Sequence, residues 1–320
     1  MIRLYHRSTG SACEEVNLEA GGLKIGPDVL WIDLINPTRE EDTAVEAALG
    51  ISVPTREEMQ ELEASSRVYR ENGATYLTAD IITRGDEDIP GIEPVTFVLT
   101  VGPLITIRYV EPRPFAMLLE KLEREPGLCA SGAELFLHLM ELVVDRASDI
   151  LSRTVTRVEG IASHVFSGGK TVGFEKLIGK LGRAQIANAR IEQSLAGLTR
   201  VFAFVAIDER IDSGEARAHL RSLSRDVESL TAHNQSVAAS INFQLSAALG
   251  LINIEQSSII KIFSVAAVAF LPPTLIASIY GMNFDHMPEL HWMGGYPLAV
   301  GAMVISALLP LMWFKHKGWL

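Results

Sequence analysis

The sequence is poor in cysteine, and it has no basic residue over a long stretch near its C-terminus. Cys13 and Cys129 are its only cysteines, too few for a disulfide framework or a cysteine metal site. From Ile262 to Phe314 there is no Lys or Arg. Residues 1–5 are strand-like rather than an apolar run, so we expect no cleavable signal peptide. A disulfide-stapled secreted scaffold is therefore excluded.

A phosphate-binding glycine-rich loop is also missing. Residues 168–171 read Gly-Gly-Lys-Thr, which has the Lys-Thr pair of such a loop but lacks its first glycine at the required spacing. We therefore expect no nucleotide partner, no organic cofactor and no enzymatic activity.

Acidic residues outnumber basic ones, and the excess lies in the first four fifths of the chain. Residues 1–255 carry 37 acidic and 25 basic residues, whereas residues 256–320 carry two acidic and three basic ones. A negative body of this kind repels nucleic acid and gathers cations. The alternative interpretation is ordinary charge for solubility. On either interpretation we expect no nucleic-acid partner.

Two apolar stretches dominate the C-terminal part, one at 259–280 and one at 296–314. Each has about the ~20 residues needed to cross a ~30 Å hydrocarbon core. Basic residues flank only the outer ends of the pair, at Lys261, Lys315 and Lys317. This pattern predicts a multi-pass hairpin in the lipid membrane with both termini in the cytoplasm and a short acidic loop outside.

The first 130 residues predict a mixed α/β domain. Runs rich in Val, Ile, Thr and Tyr predict strands at Ile2–Tyr5, Val29–Leu34, Ala74–Thr83, Pro94–Val101 and Leu104–Val110. Thr38 with Glu41 forms a capping-box pattern at the start of one helix. A second helix start follows Thr55, with acidic residues in its first turn.

From residue 131 onward the pattern is helical. We predict helices at Gly132–Val165 and Phe174–Ile211, and a third from Glu215 that extends to Tyr280. The third helix carries a heptad seam, a line of mostly apolar residues with two polar interruptions, formed by Leu220, Leu223, Val227, Leu230, Asn234, Val237, Ile241, Gln244, Ala248 and Leu251.

A second line on the same helix is small and polar, with apolar interruptions. We call it the polar stripe: Ser246, Gly250, Asn253, Ser257, Ile260, Ser264, Ala267, Leu271, Thr274 and Ser278. Small residues favour close packing of membrane helices, and a polar line also suits a pore wall. Because two spanning helices cannot enclose a hole, the pore interpretation requires a homo-oligomer.

The motif Tyr280-Gly281-Met282-Asn283 between the two apolar stretches, Met287-Pro288-Glu289-Leu290 after it, and the basic C-terminus resemble the CorA family of divalent-cation channels. The run 259–274 and the N-terminal segments Trp31–Leu34 and Pro54–Met59 are also similar to this family. The resemblance covers essentially the whole chain.

The resemblance implies an α+β cytosolic domain (a mixed α/β sandwich), long stalk helices and a two-helix C-terminal transmembrane hairpin, in a funnel-shaped homopentamer of the inner membrane. The expected boundaries are residues 1–130 for the α/β domain, 131–258 for the stalk, 259–280 and 296–314 for the spanning helices, 281–295 for the periplasmic loop and 315–320 for the cytosolic tail.

The resemblance also implies a function, namely Mg²⁺ influx down the electrochemical gradient, with Co²⁺ or Ni²⁺ as further substrates and cytosolic metal as the regulator. Gly281, Met282 and Asn283 would form the outer selectivity site. Mg²⁺ gives up its water reluctantly, and an Asn283 amide oxygen can accept hydrogen bonds from that water. Gly281 permits close backbone approach, whereas the Met282 thioether is a poor ligand for a hard ion. Asn283 also suits a helix C-cap.

Seven residues are expected to line the pore. Apolar rings can close a pore by dewetting, and the resemblance places the constriction at Ile260 and Phe263. Polar rings would lie outward of them, and Ser257 stands at the inner mouth where the family often has Asn. The full set is Ser257, Ile260, Phe263, Ala267, Leu271, Thr274 and Ser278.

Charged loop and cytosolic residues complete the candidates. Asp285 and Glu289 would attract cations to the mouth, or they are solvated loop charges. His286 and His291 offer only a weak transition-metal site. Glu58 matches an acidic regulatory position of the family, but its partner position is Ser222, which leaves Asp226 as a substitute ligand. A solvated helix face is the alternative for both acids.

Two other functions remain open. The first is a zinc transporter of the related ZntB type, which would take up Zn²⁺ with a pH gradient; Met282 argues against it. The second is a membrane-anchored scaffold assembled through the heptad seam, which would conduct no ions.

Overall fold

The computed structural model describes residues 1–7, 13–16, 18, 23–61, 63–125, 127–166, 173–283, 285 and 287–319. The glycine-rich segment 168–171 and His286 lie outside the described residues. The chain divides into two compact units, Met1–Leu245 and Ser246–Leu320.

The first unit is built on a seven-stranded sheet with the order β2-β1-β3-β7-β6-β5-β4. Neighbouring strands are antiparallel except β3 and β7, which are parallel. The strands are β1 (Ile2–His6), β2 (Cys13–Val16), β3 (Val29–Ile35), β4 (Val68–Glu71), β5 (Ala74–Thr83), β6 (Gly91–Leu99) and β7 (Leu104–Arg108).

Eight α-helices and one 3₁₀ helix are found among the described residues. They are α1 (Arg39–Leu49), α2 (Arg56–Met59), α3 (Ala64–Arg67), α4 (Arg113–Arg124), α5 (Gly132–Phe166), α6 (Phe174–Val205), α7 (Gly214–Tyr280), the 3₁₀ helix η1 (Pro288–His291) and α8 (Gly295–His316).

The sheet is covered on both faces, which confirms the predicted α/β sandwich. On one face Ile32 and Leu34 pack in a cluster that includes Val45 of α1 and Met59 of α2. On the other face the Phe97 ring contacts the rings of Phe115 of α4 and Phe136 of α5. Helix α6 packs closely on β5 at Gly197, where an added Cβ would lie in van der Waals contact with Ala79 and Asp80.

Both predicted helix starts are capping boxes. Thr38 accepts from the Glu41 backbone nitrogen while the Glu41 carboxylate accepts from the Thr38 backbone nitrogen. Thr55 and Glu58 repeat this arrangement at α2. These reciprocal bonds satisfy backbone donors that a helix start otherwise leaves open.

Strand β5 has the predicted bounds, Ala74–Thr83. The bounds of the other predicted strands differ from those in the structure by up to three residues. Two strands, β2 and β4, were not predicted. Both are four residues long and lie at the two edges of the sheet. A short edge strand needs no long apolar run, so it leaves little signal in the sequence.

The predicted end of the second long helix at Ile211 was wrong, because α6 ends at Val205. Asp208 is buried there and accepts hydrogen bonds from the Thr75 hydroxyl and from Arg210. These bonds hold the segment after α6 against β5, so the helix ends before the predicted position.

The heptad seam is buried, as predicted, at most of its positions in the first unit, including Leu220, Val227 and Ile241. Its two polar members donate hydrogen bonds to neighbouring helices. The Asn234 amide donates to the Asn188 carbonyl of α6, and the Gln244 amide donates to the Val158 carbonyl of α5. The seam therefore packs α7 against both long helices.

Two helices, α7 and α8, are long and apolar enough to cross a membrane. In each, only 11% of the most apolar 18-residue window is buried. A core helix of a soluble protein would be mostly buried, so these windows expose apolar surface that lipid or further copies of the chain would cover.

Candidate functional site

The outer end of α7 places the Gly-Met-Asn motif just beyond the last helical turn. The Gly281 and Met282 backbone nitrogens donate to the carbonyls of Ala277 and Ile279, at 2.9 and 3.2 Å. A Cβ on Gly281 would lie 3.1 Å from the Ala277 oxygen, so a larger residue would crowd this turn. Asn283 follows outside the helix and is exposed. Its amide is therefore accessible to a hydrated ion.

The polar stripe and the buried side of α7 lie on opposite faces. Val265 and Ala269 are buried, while Ile260, Ala267 and Ser278 are exposed. At about 100° per residue, the centres of these two faces are about 160° apart. A single chain therefore leaves the stripe uncovered.

The exposed face includes large apolar side chains that a soluble helix would not present. Ile260, Phe263 and Leu271 are 63%, 71% and 66% exposed. Ser257 and Ala267 are also exposed. These side chains expose apolar surface that the chain alone does not cover.

Outward of this apolar region the stripe becomes polar. The Thr274 hydroxyl donates to the Phe270 carbonyl at 2.7 Å. This bond uses the hydroxyl proton, so the lone pairs of the Thr274 oxygen remain available to a cation or to the water bound to a cation. Ser278, one turn further out, is exposed as well. Thr274 and Ser278 thus supply neutral oxygen acceptors on one face of the last turns of α7, and Asn283 supplies another beyond the end of the helix.

The loop after the motif is compact and acidic. Asp285 and Glu289 are exposed, and Glu289 lies in η1. A Cβ on Gly295 would collide with the Glu289 carbonyl oxygen, so this glycine permits the close return of the loop to α8. Among the described residues no group of three His, Cys, Asp or Glu side chains is arranged to hold a metal ion.

The two candidate regulatory acids differ in their surroundings. The Glu58 carboxylate accepts from the Thr55 backbone nitrogen and hydroxyl at 2.7 and 3.0 Å, so it is engaged in the cap of α2. Asp226 is exposed on α7. The structure gives no contact that joins the two.

The negative charge of Asp226 instead affects Asp145, one of three acids of α5 that were not predicted as candidate residues. Burial raises the pKa of Asp145, and the negative charges of Glu141, Asp149 and Asp226 raise it further. The three α5 acids recur every fourth residue and so share one helix face. That spacing was the available signal.

Comparisons with known proteins agree with the sequence resemblance. A family model described as "CorA-like Mg2+ transporter protein" matches residues 27–316. The magnesium transport protein CorA of Pectobacterium atrosepticum is 34% identical over 291 residues, which cover 91% of this chain and 92% of that protein.

Solved structures share the fold. The CorA magnesium transporter from Methanocaldococcus jannaschii matches with a TM-score of 0.78 and 21% identity, over 100% of this chain and 98% of that one. The ZntB cytoplasmic domain from Vibrio parahaemolyticus matches with a TM-score of 0.59 and 13% identity, over 78% of this chain and 97% of that one. At such identities the likeness is one of fold alone.

Proposed function

The chain belongs to the family of CorA-like Mg²⁺ transporters, and on that premise we propose that it is a homopentameric inner-membrane channel for Mg²⁺ influx. Co²⁺ and Ni²⁺ are further proposed substrates. The observation that carries this proposal is the exposed stripe of α7, which lies opposite the buried side of the helix and reaches the last turn before the Gly-Met-Asn motif.

Selection at the outer mouth acts through the water shell of the ion. Stripping Mg²⁺ of its water is costly, so a ring of Asn283 amide oxygens that accepts hydrogen bonds from bound water favours the hydrated ion. Gly281 adds room at the helix end. Met282 is 48% exposed, and in the assembly we expect it to pack rather than ligate. Asp285 and Glu289 raise the local cation concentration.

The membrane potential supplies the driving force. A divalent ion that moves inward gains about 4.6 kcal/mol per 100 mV, enough for a concentration ratio of roughly a thousandfold. We propose both termini in the cytoplasm, because Lys261, Lys315 and Lys317 lie at one end of the hairpin and the two acids at the other. Tyr296 and Trp313 stand about 26 Å apart along α8, close to the hydrocarbon thickness.

A channel driven in this way must close when the cell is replete. We propose that the rings of Ile260 and Phe263 form the closed barrier and that cytosolic Mg²⁺ stabilises it. Asp226 with Asp145 is the better-supported acid pair for that role. The negative charge of Asp226 repels that of Asp145, and a bound cation would relieve this repulsion. Glu58 remains a candidate only if its capping bonds break.

The test is a flux assay on the purified chain in liposomes with an inward-negative potential. We expect Mg²⁺ uptake without a pH gradient, competition by Co²⁺ and Ni²⁺, and inhibition by Mg²⁺ on the cytosolic side that weakens in Asp145→Asn/Asp226→Asn. Zinc uptake that requires a pH gradient would instead indicate the ZntB-type function. No ion flux at all would indicate a scaffold.

A further inference from the structure

The C-terminal end of α8 is closed by a glycine that turns the chain back on itself. Gly318 has φ 71°, a left-handed conformation that favours glycine. The Trp319 backbone nitrogen donates to the Phe314 carbonyl at 3.0 Å, and the Gly318 nitrogen donates to the Lys315 carbonyl at 3.1 Å. This pair of bonds is a Schellman motif. The tail is therefore a defined structure at the end of the helix.

The motif builds an aromatic platform. Trp319 stacks on Phe314 with ring centroids 5.3 Å apart, and Trp313 meets Phe314 edge-on at 5.2 Å. Phe314 is buried beneath them. An aromatic contact between the residue after the glycine and the last helical turn commonly accompanies this cap.

Two ammonium groups, one on each helix of the hairpin, lie over these rings. The Lys261 nitrogen of α7 is 5.9 Å from the centre of the Trp319 ring, and the Lys317 nitrogen is 4.6 Å from that of Trp313. Lys315 stands beside them and is exposed. The rings position both cations without neutralising their charge.

Among the described residues, no carboxylate side chain pairs with these lysines. The only acids after residue 255 are Asp285 and Glu289, which lie beyond the far end of α7. Within the described part of the chain, none of the three lysines forms an ion pair with a carboxylate. The site thus joins three lysines that lack an ion-pair partner in the described part of the chain to tryptophan rings, which favour the boundary between headgroups and acyl chains.

We propose that Lys261, Lys315, Lys317, Trp313 and Trp319 form a binding site for the phosphate of an anionic phospholipid headgroup. The inference rests on the proposed membrane hairpin. The lysines supply the charge, and the tryptophan rings supply an apolar surface for the upper acyl chain. Each lysine near an anionic membrane surface contributes about fivefold in affinity. The bound lipid would bridge α7 and α8 one residue from Ile260.

The test uses the purified full chain in neutral detergent, with phosphatidylglycerol or phosphatidylcholine added and the apparent melting temperature followed. We expect phosphatidylglycerol to stabilise the wild type at lower concentration than phosphatidylcholine does. Lys317→Gln and Lys315→Gln should each weaken that preference about fivefold. Gly318→Ala keeps every charge but strains the cap, and it should also weaken the preference. Lys176→Gln, on an exposed residue of α6, is the matched control and should change nothing.

Three results would overturn the proposal. The first is equal stabilisation by the two lipids. The second is a loss of preference in Lys176→Gln as large as in Lys317→Gln, which would indicate nonspecific charge. The third is competition by millimolar inorganic phosphate, which would make a soluble anion the ligand. Failure of this proposal can be distinguished from failure of the proposed function. A chain that shows no Mg²⁺ flux in any liposome could still be stabilised by phosphatidylglycerol at lower concentration than by phosphatidylcholine.

Discussion

The two units of this chain differ in where they place polar side chains. In Met1–Leu245 the buried charges are paired inside the fold, as with Asp33 and Arg108 or Asp80 and Arg67. In Ser246–Leu320 the polar side chains of the stripe face outward beside exposed Ile260 and Phe263. The first unit therefore pairs these buried charges within itself, whereas the second exposes apolar surface that we expect lipid and further copies of the chain to cover. Breaking a buried ion pair of the first unit should therefore lower stability, whereas substitutions in the stripe or the Gly-Met-Asn motif should alter ion flux.

The largest effect on stability should come from breaking the Asp33–Arg108 pair. Arg108 makes three hydrogen bonds to the Asp33 carboxylate at 2.8–3.2 Å, and both side chains are buried. Asp33→Ala leaves a buried guanidinium without its partner, which costs about 3–5 kcal/mol. Denaturant unfolding of the purified chain measures the loss.

The matched control for that loss is an exposed ion pair, Glu120 with Arg124. Glu120→Ala should change stability by less than about 0.5 kcal/mol, because surface pairs are screened. Equal losses in the two variants would contradict the claim that the first unit depends on internal pairing.

The next effect tests the apolar rings of the second unit. Ile260→Asn introduces an amide into the proposed barrier, so we expect water to enter and Mg²⁺ uptake at high internal Mg²⁺ to rise severalfold. Ile262→Asn is the control, because Ile262 is equally exposed but lies off the stripe. If both variants raise uptake alike, the barrier does not lie on this face.

A smaller effect concerns Asp42 of α1. Burial, with the charges of Glu46 and Glu41, raises the pKa of Asp42 to about 6. Because the folded protein disfavours the ionised form, wild-type stability should fall as the pH rises from about 4 to 6. Asp42→Asn removes this penalty and should gain about 1 kcal/mol at pH 7, after screening, and nothing below pH 4. Melting curves across this range, with Glu40→Gln as an exposed control, check it.

The smallest effect should come from the loop charges. Asp285→Asn with Glu289→Gln should lower Mg²⁺ uptake by about twofold at low ionic strength, and the difference should vanish at high salt. A loss that salt does not reduce would mean that these carboxylates bind the ion directly.

Local signals in the sequence predicted much of both units. In the capping box of Thr38 and Glu41 and in the heptad seam of α7, successive residues of the pattern lie about one helical turn apart. Their spacing along the chain was therefore enough to predict both features. The short edge strands β2 and β4 and the early end of α6 depend on distant partners, such as Thr75 for Asp208. Spacing along the chain contains no such information.

The candidate site shows the same limit. The stripe and the motif follow from helical periodicity and from the resemblance. The spacing of the α5 acids is also visible in the sequence, but the influence of Asp226 on Asp145 emerges only when α5 and α7 are folded together. The sequence predicted only that residues 315–320 form a basic tail. The turn at the end of α8 depends on the left-handed conformation of Gly318. A glycine after a helix end was the available signal for that cap.

The most direct measurement of the central claim is the Mg²⁺ uptake rate of Asn283→Ala beside that of Met282→Leu, in liposomes at equal protein density. The Asn283 substitution removes the proposed ring of amides for the hydrated ion, so we expect uptake to fall at least about tenfold, or about 1.4 kcal/mol. The Met282 substitution should leave uptake near that of the wild type. Unchanged uptake in Asn283→Ala would contradict selection through the water shell.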